Sequence, residues 1–301
     1  MAVRSASHAG SWYNGIPKEL NAQLDAWLLK ATERKNEIGA KAIISPHAGY
    51  TYCGKTAAYG FKQINPINVK KIFVLGPSHC VYLKGCALTT CHEYETPFGN
   101  LKIDLPIVDE LKRTGEFLAM DTKYEEDEHS IEMQLPFIAK IMTSVKSLND
   151  FSIIPVLVGS VQGNIQKTFG SIFHKYIISP ETLFVISSDF CHWGKRFDFY
   201  PHNPNLNTPI WQQIQTLDKN GMNAIETLDP DTFDGYMNNT QNTICGSAPI
   251  RILLSAVKNA REKCNIDCKF EFLNYSQSSQ ITHPHDSSVS YASGVLWVHN
   301  K

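Results

Sequence analysis

The sequence predicts an α/β fold in which one domain has a mostly central β-sheet flanked by helices. Four short apolar runs rich in β-branched residues are bounded by polar, Gly or Pro residues, which is typical of strands buried on both faces of a sheet. Segments with helical spacing of apolar residues separate these runs, and such alternation is typical of α/β proteins. The 301 residues contain no Pro/Ser-rich linker, repeat or low-complexity run, so we expect a single domain over residues 1–301.

The predicted elements follow in chain order. An amphipathic helix is predicted from 17 to about 35, because apolar residues recur at three- and four-residue spacing after a proline that suits a first helical turn. The four predicted buried strands span 42–44, 72–75, 153–158 and 183–186. The helices predicted between and after them span 55–63, 107–111, 131–145 and 209–228, the last with a break near Gly221. A helix over 242–261 and strands over 270–275 and 288–298 complete the predicted order.

Composition excludes several classes of function. Lys plus Arg number 28 against 29 Asp plus Glu, a net charge of −1, so no basic field is present to hold a nucleic acid. No stretch approaches the ~20 apolar residues of a membrane span, and the first residues lack the apolar core of a secretory signal. We therefore expect no nucleic-acid or membrane partner and a cytoplasmic location, with access to the nucleus open. The eight cysteines are too sparse for a disulfide scaffold, and most are expected to be buried thiols.

Histidine-bearing turns follow three of the four predicted buried strands. His47 follows the first strand, His79 the second, and Asp189 and His192 the fourth. Because ligands of open α/β sheets bind outside the carboxyl ends of the strands, these side chains are expected to converge on one crevice.

This residue set has two interpretations. Imidazoles with a carboxylate or a thiolate are donors for Fe, Cu or Zn, so the turns predict a metal site. Alternatively, each turn histidine only hydrogen-bonds backbone carbonyls, and no HxxxH or CxxC spacing decides between the two. Cys245 lies in the first turn of the predicted late helix, where a thiol tends to have a lowered pKa; it is a candidate soft ligand or, alternatively, a small buried hydrophobe. Cys191 could face either way.

An acidic run precedes the helix predicted over 131–145. Most of the run 125–128 is interpreted as a solvated helix cap. His129 and Glu132, at i and i+3, share one helix face and could act as a base and its orienting partner. The polar-aromatic turns 5–13 and 274–279 could line a pocket, or serve only as packed loops. No nucleotide fingerprint or GxSxG elbow is present.

A series of longer motifs, in order from residue 5 to residue 299, resembles the Memo family. The motifs are SHAGSWY (7–13), PHAGYTYCG (46–54), LGPSH (75–79), DEHSIEM (127–133), IPVLVG (154–159), SSDFCHWG (187–194), TICG (243–246), FLNY (272–275) and DSSVSYA (286–292).

The resemblance implies a fold, a cofactor and a set of site residues. The fold of that family is similar to class III extradiol dioxygenases. The implied metal ligands are His47, His79 and Cys245, with Asp189 and His192 beside them. The thiol stands where a dioxygenase has a carboxylate, which argues against ring cleavage and favours redox chemistry at copper, with iron as the alternative metal.

The implied activity is reduction of O₂ toward superoxide or peroxide, with no organic substrate assigned. In that reaction His192 or His129 would exchange protons and Asp189 would orient a ligand imidazole. The resemblance also implies an alternative, a non-catalytic adaptor that binds a phosphotyrosine-type peptide or a signalling partner in cell motility. A third hypothesis is a degenerate scaffold whose histidines are satisfied by hydrogen bonds.

Overall fold

The computed structural model of the chain describes residues 2–34 and 39–300, and within these ranges it contains a nine-stranded sheet and a small three-stranded sheet. The strands are β1 Val3–Arg4, β2 Ala42–Ser45, β3 Lys71–Pro77, β4 Cys86–Leu88, β5 Glu93–Tyr94, β6 Leu101–Lys102, β7 Phe117–Ala119, β8 Ser152–Val158, β9 Thr182–Ser187, β10 His192–Trp193, β11 Ile266–Gln277 and β12 Ser288–Asn300.

The large sheet is mixed, with a parallel centre. Its order is β10-β12-β2-β9-β3-β8-β4-β7, and β11 pairs with β12 off this path. The four strands β2, β9, β3 and β8 are parallel, whereas β12 is antiparallel to β2 and β4 is antiparallel to β8. The small sheet has the order β1-β5-β6. The α/β class with a central sheet is confirmed, and the likeness to dioxygenases stays a prediction.

Helices connect the strands and pack on the large sheet. They are α1 Pro17–Lys30, α2 Tyr50–Phe61, α3 Leu105–Lys112, α4 Thr122–Asp127, α5 His129–Glu132, α6 Leu135–Met142, α7 Asn164–Ile177, α8 Ile210–Glu226, α9 Pro230–Thr240 and α10 Ser247–Cys264. Two single 3₁₀ turns cover Leu148–Asp150 and Lys195–Phe197. Among the described residues, no helix combines the length and apolar character needed to cross a bilayer.

The helices form layers on both faces of the sheet. Phe73 of β3 and Phe184 of β9 are in register, and both contact Phe173 of α7. Ile43 of β2 is in register with the residue after Phe184, so it points to the opposite face, where it lies against Gly60 of α2. The helices α1 and α6 pack with α2 on that face, whereas α10 packs on α7. One apolar cluster fills both interfaces, from Tyr13 to Trp297.

Several boundaries differ from those predicted. The helix α2 begins at Tyr50, five residues earlier than expected. The region predicted as one helix over 131–145 forms α5 and α6, and Pro136 stands in the first turn of α6. The helix α8 does not break at Gly221, where the ring of Tyr236 packs so closely that a Cβ would lie 2.8 Å from it. The first helix ends at Lys30, and the end predicted at residue 35 lies outside the described residues.

Three of the described helices were not predicted at all, namely α4, α7 and α9. In α7, buried Phe169, Phe173 and Tyr176 recur at three- and four-residue spacing, so a signal was present. The helix α9 has few apolar residues but begins with Asp229, whose carboxylate caps the backbone N–H of Thr232, and with Pro230. The late helix begins at Ser247 and not at residue 242.

Candidate metal centre

The turns after β2, β3 and β9 meet at one edge of the sheet, because these three strands are parallel neighbours. The turns carry His47, His79 and Asp189, and the ring centroids of the two histidines are 5.2 Å apart. Cys245 reaches the same place from the segment that precedes α10. One donor atom from each of His47, His79 and Cys245 lies within 4.8 Å of the other two.

His47 is held from three sides. Its backbone N–H donates to Oδ1 of Asp189 at 2.8 Å, its Nδ1 lies 2.7 Å from the hydroxyl oxygen of Ser187, and its Nε2 lies 3.1 Å from Sγ of Cys245. Burial, together with the imidazole of His79, lowers the pKa of His47 well below its ordinary value. The ring is therefore neutral at pH 7.

Asp189 shapes the turn that carries His47. Its Oδ1 also accepts the backbone N–H of Ala48, at 3.4 Å. Burial raises the pKa of Asp189, while its hydrogen bonds and the nearby His192 oppose that increase. Asp189 thus orients the backbone of the His47 turn, and not the ring of a ligand imidazole.

The environment of Cys245 differs from the one expected. Its sulfur accepts the backbone N–H of Asp189 at 3.3 Å. The thiol was expected to have a lowered pKa near the start of a helix, but burial, with a further contribution from the Asp189 carboxylate, raises the pKa of Cys245 well above its ordinary value. In the absence of a cation the residue is therefore a neutral thiol. A coordinated cation would reverse this, because a metal-bound thiol loses its proton.

His79 and His129 form a second wall of the crevice, with Glu128 behind them. The two rings stack at 4.6 Å with an angle of 12° between their planes. Glu128 accepts the Nδ1–H of His79 at 2.9 Å and the backbone N–H of His79 at 2.6 Å. Burial and the imidazole of His79 lower the pKa of His129 to about 4. His79, Glu128 and His129 also have donor atoms within 4.8 Å of one another.

Glu128 corrects the interpretation of the acidic run as a solvated cap. Asp127 is exposed, but Glu125 and Glu128 are only 3% and 2% exposed. Burial by itself would raise the pKa of Glu128, but hydrogen bonds from His79 and from the backbone of Ser130 hold it at about 2. Glu128 is therefore a buried anion that fixes the orientation of His79.

Glu132 has partners other than the predicted one. Its carboxylate, which is fully buried, binds Nη1 of Arg4 at 2.7 Å, Nδ1 of His8 at 2.8 Å and the hydroxyl of Tyr13 at 2.7 Å. The carboxylate beside Nδ1 of His129 is that of Glu128, at 3.7 Å. The expected His129–Glu132 pair is thus replaced by a pair with His8, whose ring centroid lies 6.0 Å from that of His129.

His192 and Cys191 face different environments. Nδ1 of His192 lies 2.9 Å from the carbonyl oxygen of Phe190 and 3.1 Å from that of Thr243. Since carbonyls only accept, Nδ1 carries a proton and Nε2 is the basic nitrogen. Cys191 is buried in a separate small apolar cluster with Trp193, and burial raises the pKa of its thiol. Cys191 therefore packs as a small hydrophobe, and Cys245 is the thiol at the crevice.

Several groups that build the site were missed. His8 comes from the turn 5–13, which was interpreted only as a pocket wall or a packed loop, and Glu128 comes from a run interpreted as solvated. Arg4 lies in β1, just before that turn, and was given no role. The Ser187 hydroxyl hydrogen-bonds the His47 ring, and Gln134 in turn donates to that hydroxyl. A weak signal existed for Glu128, because it precedes the first helical residue and caps the backbone N–H of Ser130.

Comparisons of the sequence with a family model and with individual known proteins agree with each other. A family model described as Memo-like protein matches residues 4–295. A Caenorhabditis elegans protein named "Protein memo-1 homolog" is 55% identical over 298 residues, which cover 99% of this chain and 83% of that protein. The human and rat proteins named "Protein MEMO1" are each 50% identical over 299 residues, which cover 99% of both chains compared.

Proposed function

The chain belongs to the Memo-like family, and we propose that it is a redox protein that binds copper or iron at His47, His79 and Cys245. The observation that carries the proposal is the convergence of two imidazoles and a thiol, with one donor atom of each within 4.8 Å of the others. These residues come from three separate parts of the chain.

The surroundings of the two histidines fit a metal site. A histidine ligand commonly donates its second ring N–H to a carboxylate or another acceptor, which directs the free nitrogen at the metal. Glu128 is such an acceptor for Nδ1 of His79, at 2.9 Å. The Ser187 hydroxyl is the acceptor for Nδ1 of His47, at 2.7 Å. In both rings Nε2 is left as the lone-pair donor.

The donor set favours a soft or borderline metal. Thiolates select Cu(I) and Zn, and imidazoles suit Cu, Zn and Fe. Because Zn has no redox chemistry, copper is the first candidate for a redox site and iron the second. A bound Cu(I) or Fe(II) ion would supply one electron to O₂, which gives superoxide and leaves Cu(II) or Fe(III). An external one-electron reductant would return the metal to its reduced state and would supply the second electron needed for peroxide. Nε2 of His192 and the neutral ring of His129 are the basic groups that can take up and return protons at the crevice.

Metal analysis tests the proposal. Protein without a His-tag is purified anaerobically and titrated separately with Cu(I) and Fe(II), as wild type and as the variants His47→Ala and Cys245→Ser. His285→Ala is the matched control, because this exposed histidine lies on a loop. We expect near-stoichiometric metal in the wild type and the control, and loss of both metal and oxidant production in the two site variants.

Two results would contradict the proposal. One is a wild type that retains neither metal, and the other is metal binding that survives in both site variants. A folded, metal-free wild type would favour the alternative function, an adaptor that uses the crevice to bind a peptide or another protein.

A further inference from the structure

Three groups meet at the hydroxyl of Ser187, the last residue of β9. Its Oγ lies 2.7 Å from Nδ1 of His47, 2.9 Å from Nε2 of Gln134 and 2.6 Å from the carbonyl oxygen of Ser130. All of these side chains are buried, and those of Ser187 and Gln134 are fully so. Water therefore does not compete for these hydrogen bonds.

The direction of each hydrogen bond follows from what each group can do. The Ser130 carbonyl only accepts, so the single hydroxyl proton of Ser187 goes to it. Nε2 of Gln134 also lies 3.0 Å from the carbonyl oxygen of Pro46, which fixes the orientation of that amide and makes it a donor to Ser187. The hydroxyl then has one lone pair left for His47, so Nδ1 of His47 must carry the proton.

We propose that Ser187 and Gln134 are positioning residues that hold His47 in the Nδ1–H tautomer and keep its Nε2 a free acceptor toward Cys245. Nε2 and Sγ are 3.1 Å apart. The ligand role of His47 rests on the proposed function, but the tautomer follows from these hydrogen bonds whether or not the protein binds a metal.

The unpaired half of the Gln134 amide supports this role. Its Oε1 is buried and has no hydrogen-bond partner among the described residues. An unpaired buried acceptor destabilises a fold, and an apolar side chain of similar size would avoid that cost. The N–H groups of the same amide link the turn that carries His47 to the Ser187 hydroxyl. The amide is thus oriented to make these two contacts, and this orientation leaves its oxygen without a hydrogen-bond partner among the described residues.

The first test measures the tautomer in metal-free protein. Long-range ¹H–¹⁵N correlation spectra of ¹⁵N-histidine-labelled protein at pH 7 separate protonated from unprotonated ring nitrogens, and the signals lost in His47→Gln assign His47. We expect a protonated Nδ1 and an unprotonated Nε2. Because neutral histidine in water favours the Nε2–H form, Ser187→Ala is expected to shift His47 toward that form, and Ser187→Thr to restore the original tautomer.

The matched control is Ser45→Ala. Ser45 is the fully buried residue paired with Ser187 on the neighbouring strand, and its hydroxyl has no hydrogen-bond partner among the described residues. This variant is expected to leave the His47 signals unchanged. If Ser187→Ala does not fold, Ser187→Cys keeps nearly the same volume with a weaker acceptor, and the same shift is expected. An Nε2–H tautomer in the wild type, or an unchanged tautomer in a folded Ser187→Ala or Ser187→Cys, would overturn the proposal.

The second test measures metal affinity by competition with a chromophoric Cu(I) chelator. Loss of a group that orients a metal ligand typically weakens binding by about 10- to 100-fold, and we expect this for Ser187→Ala, with the control close to wild type. Equal affinities in Ser187→Ala and wild type would overturn the positioning role. A wild type that binds no Cu(I) would count against the proposed function alone, because the spectra still decide the tautomer.

Discussion

Replacement of Glu132 by Gln removes a buried charge and keeps the shape of the side chain. In the wild type this carboxylate binds Arg4, His8 and Tyr13, which brings the N-terminal segment against α5. The glutamine can still hydrogen-bond, but the guanidinium of Arg4, only 1% exposed, then lacks its counter-ion. Removal of one partner from a buried pair is strongly destabilising, typically by about 3 to 5 kcal/mol.

The pKa of Glu132 gives an independent value for the size of this loss of stability. Burial by itself would raise this pKa, but the hydrogen bond from His8 and the charge of Arg4 lower it from 4.5 to about 2 in the fold. That difference corresponds to about 3 kcal/mol of stabilisation by the ionised form. Because the folded pKa is the lower one, this stabilisation is fully present above pH 4.5 and is lost as the pH falls through about 2.

Urea unfolding of both proteins across this pH range tests the reasoning. At pH 7 we expect Glu132→Gln to lower the free energy of unfolding by about 3 kcal/mol, and the difference from wild type to shrink between pH 4.5 and 2. The matched control is Glu126→Gln, whose carboxylate accepts the backbone N–H of Ser5 at the surface, and it should cost less than about 1 kcal/mol. Equal losses in the two variants at pH 7, or a Glu132→Gln loss that persists at pH 2, would refute the argument.

Three further predictions concern the core, a close backbone contact and the candidate metal site. Phe137→Ala removes a ring stacked at 4.7 Å on a neighbouring phenylalanine and should lower the free energy of unfolding by about 3–5 kcal/mol. Leu29→Ala, at an exposed position, should be near neutral, and equal losses in the two variants would contradict this prediction. Gly246→Ala places a Cβ 2.5 Å from the Ser187 carbonyl oxygen and should lower the free energy of unfolding by about 1–3 kcal/mol in the same urea assay. Its control, Gly235→Ala, has open space on α9 and should raise the free energy of unfolding by up to about 1 kcal/mol. A neutral Gly246→Ala would show that the contact relaxes freely. Glu128→Gln should weaken Cu(I) binding about 10- to 100-fold in chelator competition, and unchanged affinity would exclude its role in orienting His79.

Much of the fold could be predicted because buried parallel strands have a characteristic pattern of contiguous residues. The runs that became β2, β3, β8 and β9 are short, apolar and rich in β-branched residues, and each has a polar or glycine boundary. The short strands β1, β4, β5, β6, β7 and β10 were missed, because strands of two or three residues carry no usable periodicity. The split between α5 and α6 was missed although Pro136 marks it, because the apolar pattern continues across the break.

The composition of the crevice was only partly predictable. His47, His79 and Asp189 follow strands that the sequence identifies, so their meeting at one sheet edge follows from parallel pairing. Cys245 reaches the same edge from a segment nearly 200 residues after His47. Its place near the start of a predicted helix left it either a soft ligand or a small buried hydrophobe, and the resemblance to a family favoured the ligand.

The sequence by itself determined the buried central strands β2, β3, β8 and β9, the histidine-bearing turns and the family of this protein, because each of these depends on a pattern in contiguous residues. The tertiary structure alone decided which carboxylate meets which imidazole. Glu128 and Glu132 are one helical turn apart, yet the first binds His79 and the second binds His8 and Arg4. It also decided that Cys245 is a neutral thiol, since desolvation depends on every atom packed around the sulfur and not on the residues beside it in the chain.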